Sequence, residues 1–135
     1  MKRYCFIIIS LFLVSSGCKK QVESTKEVKS FTLNVPKKVR NATFTVTSID
    51  DSRCPENANC ISMGKVSVLL KVQSDFDLKT LQFCMGDCKD IGATDKILFP
   101  IANVKCEVKI IDVKPYPNLS TAVVPKTVTF EIKKG

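Results

Sequence analysis

The chain has 135 residues, no histidine, no tryptophan, 7% aromatic residues and a formal net charge of +8. That length allows one domain, and without histidine it can hold neither a Ser-His-Asp triad nor a zinc site, unless cysteines or carboxylates supply all the ligands. The positive charge comes with no recognition motif and no aromatics interleaved among the basic residues, which argues against nucleic acid as a partner.

Residues 1–17 have the layout of a secretory signal. Lys2 and Arg3 come first, an apolar run from Tyr4 to Val14 follows with Ser10 as its one interruption, and Ser15, Ser16 and Gly17 end it. The run is too short for a membrane span, which takes about 20 residues. The stretch "LVSSGC" resembles a bacterial lipobox. The resemblance implies cleavage before Cys18 and a lipid on its sulfur; the alternative is an ordinary signal peptide cut near Ser16 or Gly17, with Cys18 free. A diacylated cysteine meets the two-chain condition for stable anchoring, and Lys19 and Lys20 would lie at the headgroups. Residues 18–30 are expected to be the lipidated Cys18 and a flexible tether, because the segment is charged and poor in apolar residues.

Residues 31–135 are expected to form the folded domain. Apolar and polar residues alternate at Phe31–Val35, Ala42–Thr47, Lys65–Val72, Val104–Ile110 and Thr127–Ile132, the pattern of half-buried strands. Leu69 breaks the alternation of its run. Leu78–Phe83 and Ile97–Phe99 are weaker strand candidates. The apolar face changes sides at Ile110–Ile111, which predicts a bulge. Turn-forming residues separate the runs at 36–41, 50–64, 74–77, 86–95 and 115–120. The expected fold is all-β: an antiparallel, immunoglobulin-like β-sandwich of about seven strands. Lysines spread singly along the strands fit a solvated surface; the other reading is attraction to acidic glycans or lipids.

If Cys5 leaves with the signal and Cys18 takes lipid, Cys54, Cys60, Cys84, Cys88 and Cys106 remain of the seven cysteines. In an exported chain these read as disulfides. Proximity pairs Cys54 with Cys60 across a loop rich in Pro, Asn and Asp, and Cys84 with Cys88 around Gly86; the runner-up joins one of the latter to Cys106. Cys106 lies on the apolar face of its strand and is expected to be a buried thiol. No C-x-x-C motif and no calcium loop occurs, and neither a metal nor a cofactor is expected.

The stretch "DSRCPENANCISMG" resembles a signature of small secreted or lipid-anchored bacterial β domains whose function is not characterised. Asp51, Ser52, Arg53, Cys54, Pro55, Cys60 and Gly64 match that signature, and Ser62 and Met63 stand where it has Trp and Ala. "DVKPYP" (112–117) and "TVTFEIKK" (127–134) resemble the same family's late turn and closing strand. The resemblance implies a β domain with a bridged loop and carries no activity with it.

Three residues are candidates for a binding loop. Arg53 either pins its loop through Asp50 and Asp51 or offers an exposed guanidinium to an anion. Asp51 belongs to the same cluster. Tyr116, between two prolines, is either a contact residue or a cover for one end of the core.

No catalytic residues are expected. The leading expectation is a lipid-anchored, non-catalytic domain outside the cytoplasm, at a bacterial cell envelope. It would sit on the outer membrane if the cell has one, and present loop 50–64 to a protein or glycan partner. The alternatives are a small protease-inhibitor-like module, a thiol-redox lipoprotein using Cys84 and Cys88, and an acidic-glycan binder.

Overall fold

A computed structural model describes residues 25–120 and 123–135. The expected signal peptide, the expected lipidation site Cys18 and the first part of the expected tether lie outside the described residues.

The alternating runs become strands that turn one face inward. In chain order these are β1 (Lys26–Thr32), β2 (Lys37–Val39), β3 (Ala42–Asp51), β4 (Lys65–Ser74), β5 (Leu78–Gly86), β6 (Lys96–Ile101), β7 (Val104–Lys114) and β8 (Thr127–Lys134). They form two antiparallel four-stranded sheets, ordered β1-β8-β7-β6 and β2-β3-β4-β5. Both weak candidates, at 78–83 and 97–99, are strands. The register between β7 and β8 shifts between Ile110 and Asp112, where the apolar face was expected to change sides. A second shift, in β3 between Val46 and Ser48, had no such signal.

Between the sheets lies a core free of buried polar side chains among the described residues. Four phenylalanines join its halves. Phe31 stacks on Phe44 at 6.0 Å, and Phe130 meets Phe31 at 5.8 Å and Phe83 at 5.0 Å, both edge-on. Such ring pairs stabilise beyond their buried area.

Three expectations need correction. The first is connectivity. An immunoglobulin-like sandwich has Greek-key neighbours within its sheets. Here all neighbours within a sheet are consecutive in sequence except β1 and β8, and the described residues form eight strands. The result is two meanders, joined at their corners. Asn34 N donates to Val46 O at 2.8 Å on one side, and Cys84 N to Thr94 O at 3.0 Å on the other. These bonds occupy backbone groups that open sheet edges would leave bare.

The second correction is where the domain begins. The tether was expected to reach residue 30, but β1 starts at Lys26 and pairs along β8 from Lys26↔Lys133 to Thr32↔Thr127. Its charged residues are matched locally. Glu27 lies 3.0 Å from Lys29 and 3.2 Å from Arg40. Those bonds, Lys29 first, hold its carboxyl below the usual carboxylate range. The third correction concerns the end of this run. Phe31 is buried, but Leu33 and Val35 are exposed. Asn34, at φ 60°, turns the chain out of β1 and across to the other sheet. The short strand β2 follows, within a segment expected to be a turn.

The registers give the domain two distinct ends. At the base lie residue 25, the turns at 40–41, 74–77 and 102–103, and the last residues of β8. The loops after β3, β5 and β7 lie at the other end, called here the loop end.

Candidate functional site

The loop end is where the four disulfide-bonded cysteines and the Asp51–Arg53 pair come together. Cys54 and Cys60 form one disulfide, and Cys84 and Cys88 form the other. Among the described residues Cys106 is the free cysteine, and it is buried, as expected. By the loop-entropy model each short bridge is worth about 2 kcal/mol. Replacing both Cys54 and Cys60 by Ser is expected to lower unfolding free energy by about that amount, read by urea denaturation against the wild type. The Cys84/Cys88 pair should give a similar loss.

Hydrogen bonds close the mouth of loop 52–64. Ser52 donates to Lys65 O from its backbone N (2.8 Å) and from Oγ (3.0 Å), and Cys54 N donates to Met63 O at 2.9 Å. Gly64 makes this closure sterically feasible. It sits at φ +69°, and a Cβ there would lie 2.0 Å from the Ser52 carbonyl oxygen. Gly86 backs it on the neighbouring strand, where a Cβ would lie 2.5 Å from the Gly64 oxygen. Glycine is the residue that tolerates both the dihedral and the approach.

Beneath the loop sits an ionic clasp. The Asp51 carboxylate, with its side chain 2% exposed, accepts from Arg53 Nε at 2.8 Å and Nη2 at 2.7 Å, and from Lys126 Nζ at 2.7 Å. Arg53 Nη2 also donates to Val113 O at 2.9 Å, and Lys126 Nζ to Pro115 O at 3.1 Å. The Tyr116 ring stacks against the guanidinium, 4.3 Å from Arg53 Cζ to the ring centroid. The clasp thus ties the end of β3 to the segments that follow β7 and precede β8. Burial acts to raise the Asp51 pKa, but the hydrogen bonds from Arg53 and Lys126 outweigh it and leave the carboxyl below its ordinary value. The bond to Asp51 likewise raises the Arg53 pKa, against the opposing effect of burial.

Of the two readings of Arg53, the geometry is that of the pin: its forked donors are spent on Asp51 and a backbone carbonyl. Asp50 takes no part in it. Tyr116 is half-buried and combines its two readings. One face covers Arg53, and the ring also lines a shallow depression of about 500 Å³ with the Cys54–Cys60 bridge, Pro55, Glu56 and Met63. Further bonds fix the loop's far side: Glu56 N donates to Pro117 O at 3.0 Å, and Leu119 N to Asn57 Oδ1 at 2.9 Å. Ile61 and Met63, at 109% and 75% exposure, project into solvent.

Lys126 was not singled out in the sequence. It stands 75 positions from Asp51, in a segment with no motif, and local spacing cannot show such a partner. No cluster of three or more Cys, Asp or Glu side chains suited to a metal ion occurs among the described residues. Comparison with protein-family models, with curated proteins and with solved structures finds no match to this chain.

Proposed function

We propose that this chain is a non-catalytic binding protein, anchored to the bacterial cell envelope by a lipid on Cys18, that holds its stapled loop end out to a protein partner. One observation carries this reading: both disulfides and the ionic clasp lie at the loop end, whereas residue 25, the first described residue, lies at the base. A lipid at Cys18 would therefore attach below the base and leave the loops facing away from the membrane. The bridges, the mouth bonds and the clasp pre-organise loop 52–64, which lowers the ordering cost of binding. At this end the exposed acids without ion-pair partners, Asp50, Glu56 and Asp87, outnumber the one such lysine, Lys89, so the partner surface is cationic. That charge disfavours the acidic-glycan reading here.

Mass spectrometry of the mature protein tests the anchor, which requires an N-terminal lipid-modified Cys18. Photo-crosslinking in intact envelopes tests the presentation. A crosslinker at Asn59 should capture a discrete partner, one at Asn103 in the base should not, and Cys54→Ser with Cys60→Ser should weaken capture at position 59. Equal capture from both ends would reject the proposal.

A second reading, the protease-inhibitor-like module, draws support from Ile61. Its side chain is fully exposed, directly after a disulfide-bonded residue, as a residue entering a protease pocket would need to be. The expected result is inhibition of at least one apolar-specific hydrolase, lost on Ile61→Asp. No inhibition across a broad hydrolase panel would remove this reading.

A further inference from the structure

We infer that the base of the sandwich is a docking surface for an anionic lipid bilayer. The inference takes its orientation from the anchor proposed above, and its chemistry comes from the base itself.

Unpaired charge is unevenly distributed along the domain. Among the described residues the exposed lysines Lys38, Lys89, Lys105 and Lys134 have side chains with no hydrogen bond or ion pair. Three of them, Lys38, Lys105 and Lys134, are at the base, and Lys89 is in the loop after β5 at the other end. Lys38 precedes the turn at 40–41, Lys105 follows the turn at 102–103, and Lys134 pairs with Cys106 in register. Most other surface lysines meet carboxylates, as Lys109 does at Asp95 (3.6 Å) and Lys114 at Asp112 (3.2 Å), and at the base itself Lys26 and Lys133 both meet Glu131 at 2.8 Å. Of the exposed acids without ion-pair partners, Asp50, Glu56 and Asp87 are at the loop end and Asp75 is at the base. This polarity turns the base toward a negative surface.

The base also has an apolar probe and a recess. Phe76, at the tip of the β4–β5 hairpin, is 90% exposed. Its hairpin adjoins the β6–β7 corner, since Ser74 and Asp77 share a cleft with Pro100 and Ile101. At that corner a depression of about 270 Å³ opens, lined by Thr25, Arg40, Ile101, Val104, Cys106 and Lys134 among others, with no acid in the lining. An aromatic at the interface beside lysines that reach the phosphates is how a peripheral surface binds lipid. The chain places this surface correctly, because the segment that leads back to Cys18 enters at Thr25. Asp75 opposes binding. It flanks Phe76 and has no ion-pair partner, while its neighbour Asp77 is paired with Lys79 at 3.2 Å.

The absence of tryptophan from the chain gives a clean test. Phe76→Trp creates a single fluorescent reporter in an exposed position. The mature protein is reconstituted into vesicles of phosphatidylcholine, alone or with phosphatidylglycerol, both carrying brominated acyl chains. The expected result is blue-shifted, bromine-quenched emission with phosphatidylglycerol and water-like emission without it. Lys38→Gln, Lys105→Gln and Lys134→Gln together should abolish the difference, each contributing roughly fivefold in lipid affinity. Asp75→Asn should strengthen quenching. A reporter at the loop end, Asn59→Trp, should stay unquenched. Quenching that ignores lipid charge, that survives the triple substitution or that appears at position 59 instead would overturn the inference. Retention on vesicles at high salt reads the anchor separately. A chain released by salt but quenched at low salt would lack the anchor and still support the basic surface.

Discussion

Asp51→Ala is expected to cost about 3 kcal/mol of stability, the lower end of the range for breaking a buried ion pair. The size follows from what the substitution leaves behind. Arg53, 10% exposed, and Lys126, 29% exposed, both aim at the missing carboxylate. Their positive charges would then share one partly desolvated site with no counter-ion. An exposed pair would cost no more than about 1 kcal/mol, so a loss that small would mean the clasp is open to water. The charge can also be titrated. Because the folded-state pKa of Asp51 lies below its ordinary 3.8, the group's contribution is full above that value and fades as pH falls through the depressed one. The wild type should therefore lose more stability than the Asp51→Ala variant on acidification below about pH 4. Arg53→Met, which keeps an apolar stem over Tyr116, should cost less than Asp51→Ala, since Asp51 keeps Lys126. A double-mutant cycle between positions 51 and 53 should show coupling of about 1–3 kcal/mol.

The clasp shows which parts of this protein could be read along the chain and which could not. The bridged loop was legible because cysteine spacing and turn residues are local signals. Buried faces were legible in β3, β4, β7 and β8 because burial on one side imposes period 2. Even the change of face in β7 left its trace at Ile110 and Ile111. Leu69, which breaks that pattern in β4, lies on the outer face, half-exposed, between Ser48 and Gln82. The start of β1 was not legible. Lys26–Ser30 reads as a tether because its charges look like those of an unfolded segment, yet Glu27 is held by Lys29 and by Arg40, 13 positions away. The same limit hid Lys126. It also hid the connectivity, since meander and Greek-key sandwiches share strand patterns and differ only in which strands pair. The excess of unpaired lysines at the base and of unpaired acids at the loop end needed the folded structure, because the registers place each residue at one end and only side-chain distances show which lysines have met a carboxylate.

Phe130→Ala should be the most damaging single truncation in the core, at about 3–5 kcal/mol. Phe130 lies in β8, the strand that β1 and β7 flank, and its ring reaches both Phe31 in its own sheet and Phe83 in the other. Removing it deletes two ring contacts and leaves a void where the sheets meet. β8 pairs with β1 from Thr32↔Thr127 to Lys26↔Lys133, so relaxing inward would distort the ladders on both its sides. That makes collapse of the cavity expensive and places the cost toward the top of the range. Such a loss is a third or more of the total stability usual for a domain of this size, about 5–15 kcal/mol. The two disulfides cannot rescue it, because they close short loops at the loop end and leave the packing between sheets untouched. Phe130→Leu should cost clearly less, since most of the apolar volume stays. Urea midpoints of the three proteins, with disulfides intact, give the comparison. If Ala and Leu at position 130 proved equally mild, within about 1 kcal/mol of wild type, the four rings would not be what holds the sheets together.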